Sequence, residues 1–126
     1  MAANVLDRFE FRSVRANEAE EVAEIEKICF PPHEVCSKKD MFERVEHAPE
    51  LFLVAVDKET GTIAGFLNGL ATDEEAFRDE FFTDITVHNP EGKNIFLLGL
   101  DVRPEYRRQG LARAIMNQYV KREQAN

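Results

Sequence analysis

The run Ile95-Phe96-Leu97-Leu98-Gly99-Leu100 is the most apolar stretch of the chain, and Pro104, a cluster of arginines and Gly110 follow it closely. A continuous apolar run of this kind reads as a strand over Asn94 to Val102, covered on both faces. Pro104 ends it. Gly110 then opens a last helix, carrying Leu111, Ala114, Ile115, Tyr119 and Val120 at three- and four-residue spacing. A helix N-terminus presents unpaired backbone N–H groups and a partial positive charge, which together bind anions. Gly110 lets a ligand approach the backbone closely, and Ala112 keeps the next position equally open.

Charge sharpens this reading. Arg103, Arg107, Arg108 and Arg113 face a single carboxylate, Glu105, beyond Asp101, a local excess of three positive charges. The whole chain has 16 Lys+Arg against 24 Asp+Glu, a net charge of −8. A basic pocket in an acidic chain points to an anionic ligand there. The plainer alternative is a solvated helix start whose arginines pair with the chain's carboxylates. The acidic balance argues against general nucleic-acid binding. The turn is neither a phosphate-binding Gly-Lys-Ser/Thr loop nor a Gly-x-Gly-x-x-Gly fingerprint.

The rest of the chain supplies a frame. Phe9, Phe11 and Val14 alternate with Glu10, Arg12 and Arg15 as a short strand over Phe9 to Arg15. Asn17 with Glu20 reads as a cap for an amphipathic helix bearing Val22, Ile25, Ile28 and Cys29, stopped by Pro31-Pro32. Ser37 with Asp40 caps a second helix running to about His47. Leu51 to Val56 and Thr62 to Leu70 form a hairpin around Lys58-Glu59-Thr60-Gly61. Gly65 and Gly69 predict a bulge in its second strand. Thr72 and Glu75 are placed to cap a helix or ordered insertion over Asp73 to Phe82. The expected order is β-α-α-β-β-(α)-β-α in one domain spanning 1–126, an α/β (α+β) architecture with a mostly antiparallel sheet flanked by helices.

With 44% hydrophobic and 32% charged residues, the chain is of globular type. No apolar run approaches the length of a membrane span, and the opening residues do not resemble a signal peptide. A cytoplasmic protein with reduced thiols is expected.

Arg107-Arg108-Gln109-Gly110-Leu111-Ala112, preceded by Leu100-Asp101-Val102-Arg103-Pro104-Glu105-Tyr106, resembles the Arg/Gln-x-x-Gly-x-Gly/Ala signature of the GNAT superfamily of N-acetyltransferases. Within it the chain looks most similar to the arylalkylamine (serotonin) N-acetyltransferase branch, through Cys29-Phe30-Pro31-Pro32, Pro49-Glu50-Leu51-Phe52-Leu53 and Gly65-Phe66-Leu67-Asn68-Gly69. The resemblance covers about residues 9–123. It implies a GNAT-type fold with acetyl-CoA as cosubstrate and no metal. It further implies that the backbone from Gln109 through Gly110 and Leu111 to Ala112, with Arg107 and Arg108, holds the pyrophosphate. The backbone of Leu100, Asp101 and Val102 would pair with the pantetheine arm. The Leu100 N–H would polarise the thioester carbonyl as an oxyanion donor, while a small primary amine attacks directly in a ternary complex.

Two departures stand beside the resemblance. Phe96 and Leu98 occupy the positions where the animal branch carries paired histidines, so a histidine relay is not expected. The fold of the family continues past this helix, so a truncated form is expected, with an exposed strand edge that favours self-association and with turnover in doubt. Tyr106 and Tyr119 lie on the wrong elements to protonate the thiolate.

Glu34 is the candidate base, against a solvated loop carboxylate. Phe30, Pro31, Pro32 and His33 are the candidate acceptor-pocket residues, against simple packing. His88 is read as plain surface. Cys29, His33, Cys36 and His47 lack a zinc spacing. The acidic residues from Asp73 to Asp84 read as a solvated face or an attractor for a cationic amine. A non-catalytic CoA- or nucleotide-binding regulatory domain is the alternative to an enzyme.

Overall fold

Alternation and β-rich composition produce four strands that pair in chain order into one antiparallel sheet: β1 (Phe9–Ser13), β2 (Phe52–Asp57), β3 (Ile63–Thr72) and β4 (Asn94–Val102). Among the described residues a four-residue helical turn, Val5–Arg8, precedes β1, and three longer helices flank the sheet, α1 (Ala19–Cys29), α2 (Lys38–His47) and α3 (Leu111–Gln124). The structure is a computed structural model that describes residues 5–32, 37–75 and 85–124. The expected helix over Asp73 to Phe82 falls largely outside those residues, as do His33, Glu34 and Cys36.

The sheet is sandwiched. On one face α1 and α2 bury Val22, Ile25, Met41 and Val45 against Phe52, Val54 and Phe66. On the other, α3 buries Leu111, Ile115 and Tyr119 against Leu53, Leu67 and Ala71. Truncating any one of these large buried side chains to alanine costs about 2–5 kcal/mol.

Local chemistry explains the boundaries. The Ser37 hydroxyl accepts from the Asp40 N–H at 3.1 Å and starts α2 as the sequence suggests. The cap expected at Asn17 is corrected. A 3₁₀ turn over Ala16–Glu18 precedes α1, and the Glu18 carboxylate accepts from the Arg15 N–H at 2.8 Å. Arg12 grips Glu18 through two bonds of 2.8 and 2.6 Å, which holds the carboxylate on the Arg15 N–H, so the cap falls before Asn17.

Both glycines of β3 sit beside bulges. Ala55 pairs with Gly65 while Val56 pairs with Ile63, leaving Ala64 extra; Asn68 pairs with Gly99 while Gly69 pairs with Leu97, leaving Leu98 extra. A Cβ on Gly65 would stand 2.6 Å from the Asp101 carbonyl oxygen, so the strands approach too closely there for a side chain.

The expectation that β4 is covered on both faces is overturned. β4 is the outermost strand of the sheet, and Ile95 and Leu97 remain 38% and 44% exposed. Helix α3 packs over β2 and β3 and leaves the outer half of β4 uncovered. No helix among the described residues is long and apolar enough to cross a membrane.

Candidate active site at the free edge of β4

The chain leaves β4 through a 3₁₀ turn, Pro104–Tyr106, and reverses into α3 through two left-handed residues, Arg108 (φ 65°) and Gly110 (φ 79°). Arg108 is held in a conformation that costs a non-glycine residue roughly 1–2 kcal/mol. Gly110 carries no such cost, and a Cβ placed on it would meet no atom of the described residues beyond its chain neighbours within 4 Å. The first bond of α3 runs from the Ala114 N–H to the Gly110 carbonyl at 3.1 Å. The N–H groups of Gln109, Gly110, Ala112 and Arg113 find no acceptor among the described residues. An open, positively polarised N-terminus results, at the place the sequence assigns to it.

The adjoining edge follows from ladder geometry. The Arg103 N–H bonds to the Ala64 carbonyl at 2.9 Å, and Gly65 pairs with Val102, Leu67 with Leu100. In an antiparallel ladder the residues that bond to the partner alternate with those that do not. The N–H and C=O groups of Leu100 and Val102 therefore project from the free edge, while those of Arg103 and Asp101 face β3, so the expected pairing of the Asp101 backbone with pantetheine is corrected. The Val102 carbonyl accepts from the Arg107 Nε at 3.1 Å and from the Cys29 thiol at 3.3 Å.

The arginine cluster divides into two kinds. Arg103 is structural: its Nε donates to the Ile63 carbonyl at 2.8 Å and its Nη2 lies 3.4 Å from Glu21. Arg107, Arg108 and Arg113 are exposed. Gln109 is tethered by Arg8, whose Nη1 donates to its Oε1 at 3.1 Å.

A polar cluster missed by the sequence reading lies beneath this edge. Asp101 is 1% exposed, and neither of its carboxyl oxygens meets an N–H or hydroxyl donor. Glu26 is buried beside it. Burial, and then the neighbouring Glu26 carboxyl, push the Asp101 pKa up to about 9, against the opposing pull of Arg44 and Arg107. Arg44 is buried and donates to the Asn68 Oδ1 at 3.1 Å. Burial and the Asp101 charge also push the Cys29 thiol up. Two signals were available in the sequence. Glu26 falls on the apolar stripe Val22, Ile25, Cys29, and Asp101 interrupts the most apolar strand.

The remaining candidates are placed as follows. Phe30 and Pro32 line a groove of about 400 Å³ with Ala23, Lys27 and Ser37, and Pro31 is exposed. Tyr106 and Tyr119 are buried, donating to the Asp57 Oδ2 at 2.7 Å and the Leu51 carbonyl at 3.1 Å. The reading of His88 as surface is corrected, because its side chain is only 3% exposed. Its Nδ1 accepts from the Ala71 N–H at 3.0 Å, so the ring proton sits on Nε2, 2.7 Å from the Glu50 carboxylate.

Comparison with known proteins follows the same lines. The model of the acetyltransferase (GNAT) family matches residues 19–125. A probable hydrolase of Bacillus subtilis, YhcX, is 30% identical over 114 residues, 82% of this chain but only 22% of that protein. The GNAT-like decarboxylase GphF, solved with isobutyryl-CoA, superposes with a TM-score of 0.78 at 20% identity, over 90% of this chain and 58% of GphF. The diaminobutyrate acetyltransferase EctA of Paenibacillus lautus, solved with its substrate and coenzyme A, gives 0.62 at 18% identity, over 88% of this chain and 55% of EctA. The chain thus spans little more than half of these solved structures and about a fifth of the curated relative. With the family model covering most of its length, the chain belongs to the GNAT acetyltransferase family.

Proposed function

We propose that this chain is the cosubstrate-binding part of an acetyl-CoA-dependent N-acetyltransferase that acetylates a small primary amine by direct attack in a ternary complex. The observation that carries the reading is the continuity of one surface. The outward peptide groups of Leu100 and Val102 lead into the open N-terminus of α3 at Gly110. An extended pantetheine arm pairs with such an edge as an added strand, and a pyrophosphate binds such a helix start. In this reading Gln109 to Ala112 contact the pyrophosphate through their backbone. Arg108 supplies charge, and Arg107 does so while bonded to Val102. Leu100 donates its N–H to the thioester carbonyl. Phe30, Pro31, Pro32 and His33 border the amine, and the protein is cytoplasmic.

Calorimetric titration with acetyl-CoA tests the reading. Micromolar binding is expected, and absence of binding by this chain and by a longer form sinks it. The arylalkylamine branch remains the proposed position within the family, checked by whether arylalkylamines outcompete aliphatic amines in a thiol-release screen.

A second reading is favoured by the similarity to a short part of a much longer probable hydrolase. In it the domain senses CoA within a larger protein and transfers nothing. Acetyl-CoA binding without thiol release, for every primary amine tried in the longest available form, would favour that reading.

The exposed side chains of Ile95, Leu97 and Val120 flank the free edge of β4. They support self-association of this 126-residue form. Light scattering should show mass rising with concentration; a clean monomer at high concentration counts against it.

A further inference from the structure

We propose that the buried Glu26–Asp101 carboxyl pair, reached over Gly99, takes the proton of the acceptor ammonium. The proposal rests on the acyl-transfer reading above and deepens it by naming the proton acceptor.

Position comes first. Asp101 lies between Leu100 and Val102, whose peptide groups form the outward edge, and its side chain projects to the face covered by α1 and α2. An acyl carbonyl on the Leu100 N–H therefore lies one residue from this carboxyl. Both oxygens of Asp101 are closed to solvent and meet no N–H or hydroxyl donor. The Glu26 carboxyl is the group that bonds to it, so a proton must be shared between two acids, a costly arrangement that a purely structural aspartate does not need.

Access comes second. Gly99 is half-buried and faces the same side as Asp101, two residues earlier on the strand. A Cβ built on Gly99 would stand 3.5 Å from the Asp101 Oδ1 and 3.6 Å from the Asn68 Nδ2, and no other atom of the described residues beyond its chain neighbours lies within 4 Å. Among the described residues the missing side chain therefore leaves room for one small group beside Oδ1. The Gly99 backbone is not left-handed, so the missing side chain matters for the room it leaves rather than for conformation.

Charge comes third. Two adjacent buried carboxyl groups retain one proton between them and have one negative charge available. Among the described residues, the groups that face Asp101 beside Glu26 are Cys29 from α1, Arg44 from α2, Asn68 from β3 and Arg107 from the turn after β4. Arg44 and Arg107 limit how far the pair's acidity falls, which keeps it able to release the proton after turnover.

The step balances. The ammonium gives one proton to the pair, and its freed lone pair forms the C–N bond at the acetyl carbon. The C–S bond breaks with its electrons on sulfur. The sulfur takes the second nitrogen proton, shed as the amide forms, and leaves as a thiol. The proton on the pair returns to solvent.

Carboxyl-carbon NMR titration of Asp101 tests this, in the protein loaded with coenzyme A, which has no acetyl group to transfer, with and without methylammonium, the smallest primary ammonium probe. Methylammonium should lower the Asp101 midpoint in the wild type and leave it unmoved in Gly99→Ala, whose methyl makes only ordinary contacts and so preserves the fold. In methylamine acetylation Asp101→Asn and Glu26→Gln should each lower kcat/KM about 100-fold, with acetyl-CoA affinity unchanged. An Asp101 midpoint indifferent to methylammonium overturns the proposal, as does a rate that depends on Glu34 but not on Asp101. Failure of acetyl-CoA to bind overturns the acyl-transfer reading itself, a separate result.

Discussion

Asp57 and Asp101 are both buried aspartates near the ends of strands in one sheet, 2% and 1% exposed, and they are treated in opposite ways. Asp57 accepts from the Tyr106 hydroxyl at 2.7 Å, the Glu59 N–H at 3.0 Å and Arg8 at 3.4 Å. The Tyr106 hydrogen bond first, then the Glu59 N–H, hold its carboxyl below the usual carboxylate range. Asp101 has no such partner and is driven the other way, to about 9. Burial alone therefore does not set the charge of a carboxyl; the donors around it do. Asp57 ties the end of the β2–β3 hairpin to the turn that leads into α3. Asp101 is kept in a state that costs stability, and the proposed proton transfer is what that state would serve.

The largest expected effect comes from breaking the functional half of the comparison at its other end. Gly110→Glu places a carboxylate against the pyrophosphate and should weaken acetyl-CoA binding about 100-fold, roughly 2.7 kcal/mol. Gly110→Ala carries the same backbone strain without the charge, so calorimetry on both variants separates the two causes. Next, Asp57→Ala should destabilise the fold by about 2–3 kcal/mol in urea unfolding, because it strips partners from Tyr106 and Arg8. Tyr106→Phe removes one hydrogen bond to a charged group and should cost about 1.5–3 kcal/mol.

Asp101→Asn sharpens the contrast by its sign. A carboxyl whose folded pKa is raised contributes most to stability below its unfolded value of about 4, and that contribution is lost as pH climbs toward the folded value. Replacing it with a neutral amide should therefore stabilise the protein at pH 8, by about 1–3 kcal/mol. Asp57 behaves oppositely. Its contribution is present above the unfolded pKa and lost as pH falls through the depressed folded value. Unfolding midpoints between pH 3 and 10 should fall at both ends for the wild type. In Asp101→Asn the alkaline decline should flatten and the acid one remain.

Much of this was legible in the sequence because it rests on local rules. Pro31-Pro32 stops α1, Ser37 caps α2, Gly61 closes the hairpin and Gly110 opens α3, each through backbone chemistry that a few residues determine. The turn from Arg103 to Ala112 was readable for the same reason. What was not legible depends on which elements meet. Glu26 and Asp101 are 75 positions apart in the chain, and only the packing of α1 against β4 makes them neighbours. His88 read as surface because its partners, the Ala71 N–H and Glu50, come from other elements. The apolar run of β4 signalled a buried strand, and periodicity carries no information about which strand lies at the edge of a sheet. The cap at Glu18 depends on Arg12, from the preceding strand, and Asn17 alone could not reveal it.

The central claim is that the free edge of β4 and the open start of α3 form one acyl-CoA site. Acetyl-CoA titrated into the wild type, Gly110→Ala and Gly110→Glu tests it most directly. The account predicts micromolar binding by the wild type, a modest loss in the alanine variant and about 100-fold weaker binding in the glutamate variant. Equal affinity across all three would contradict it.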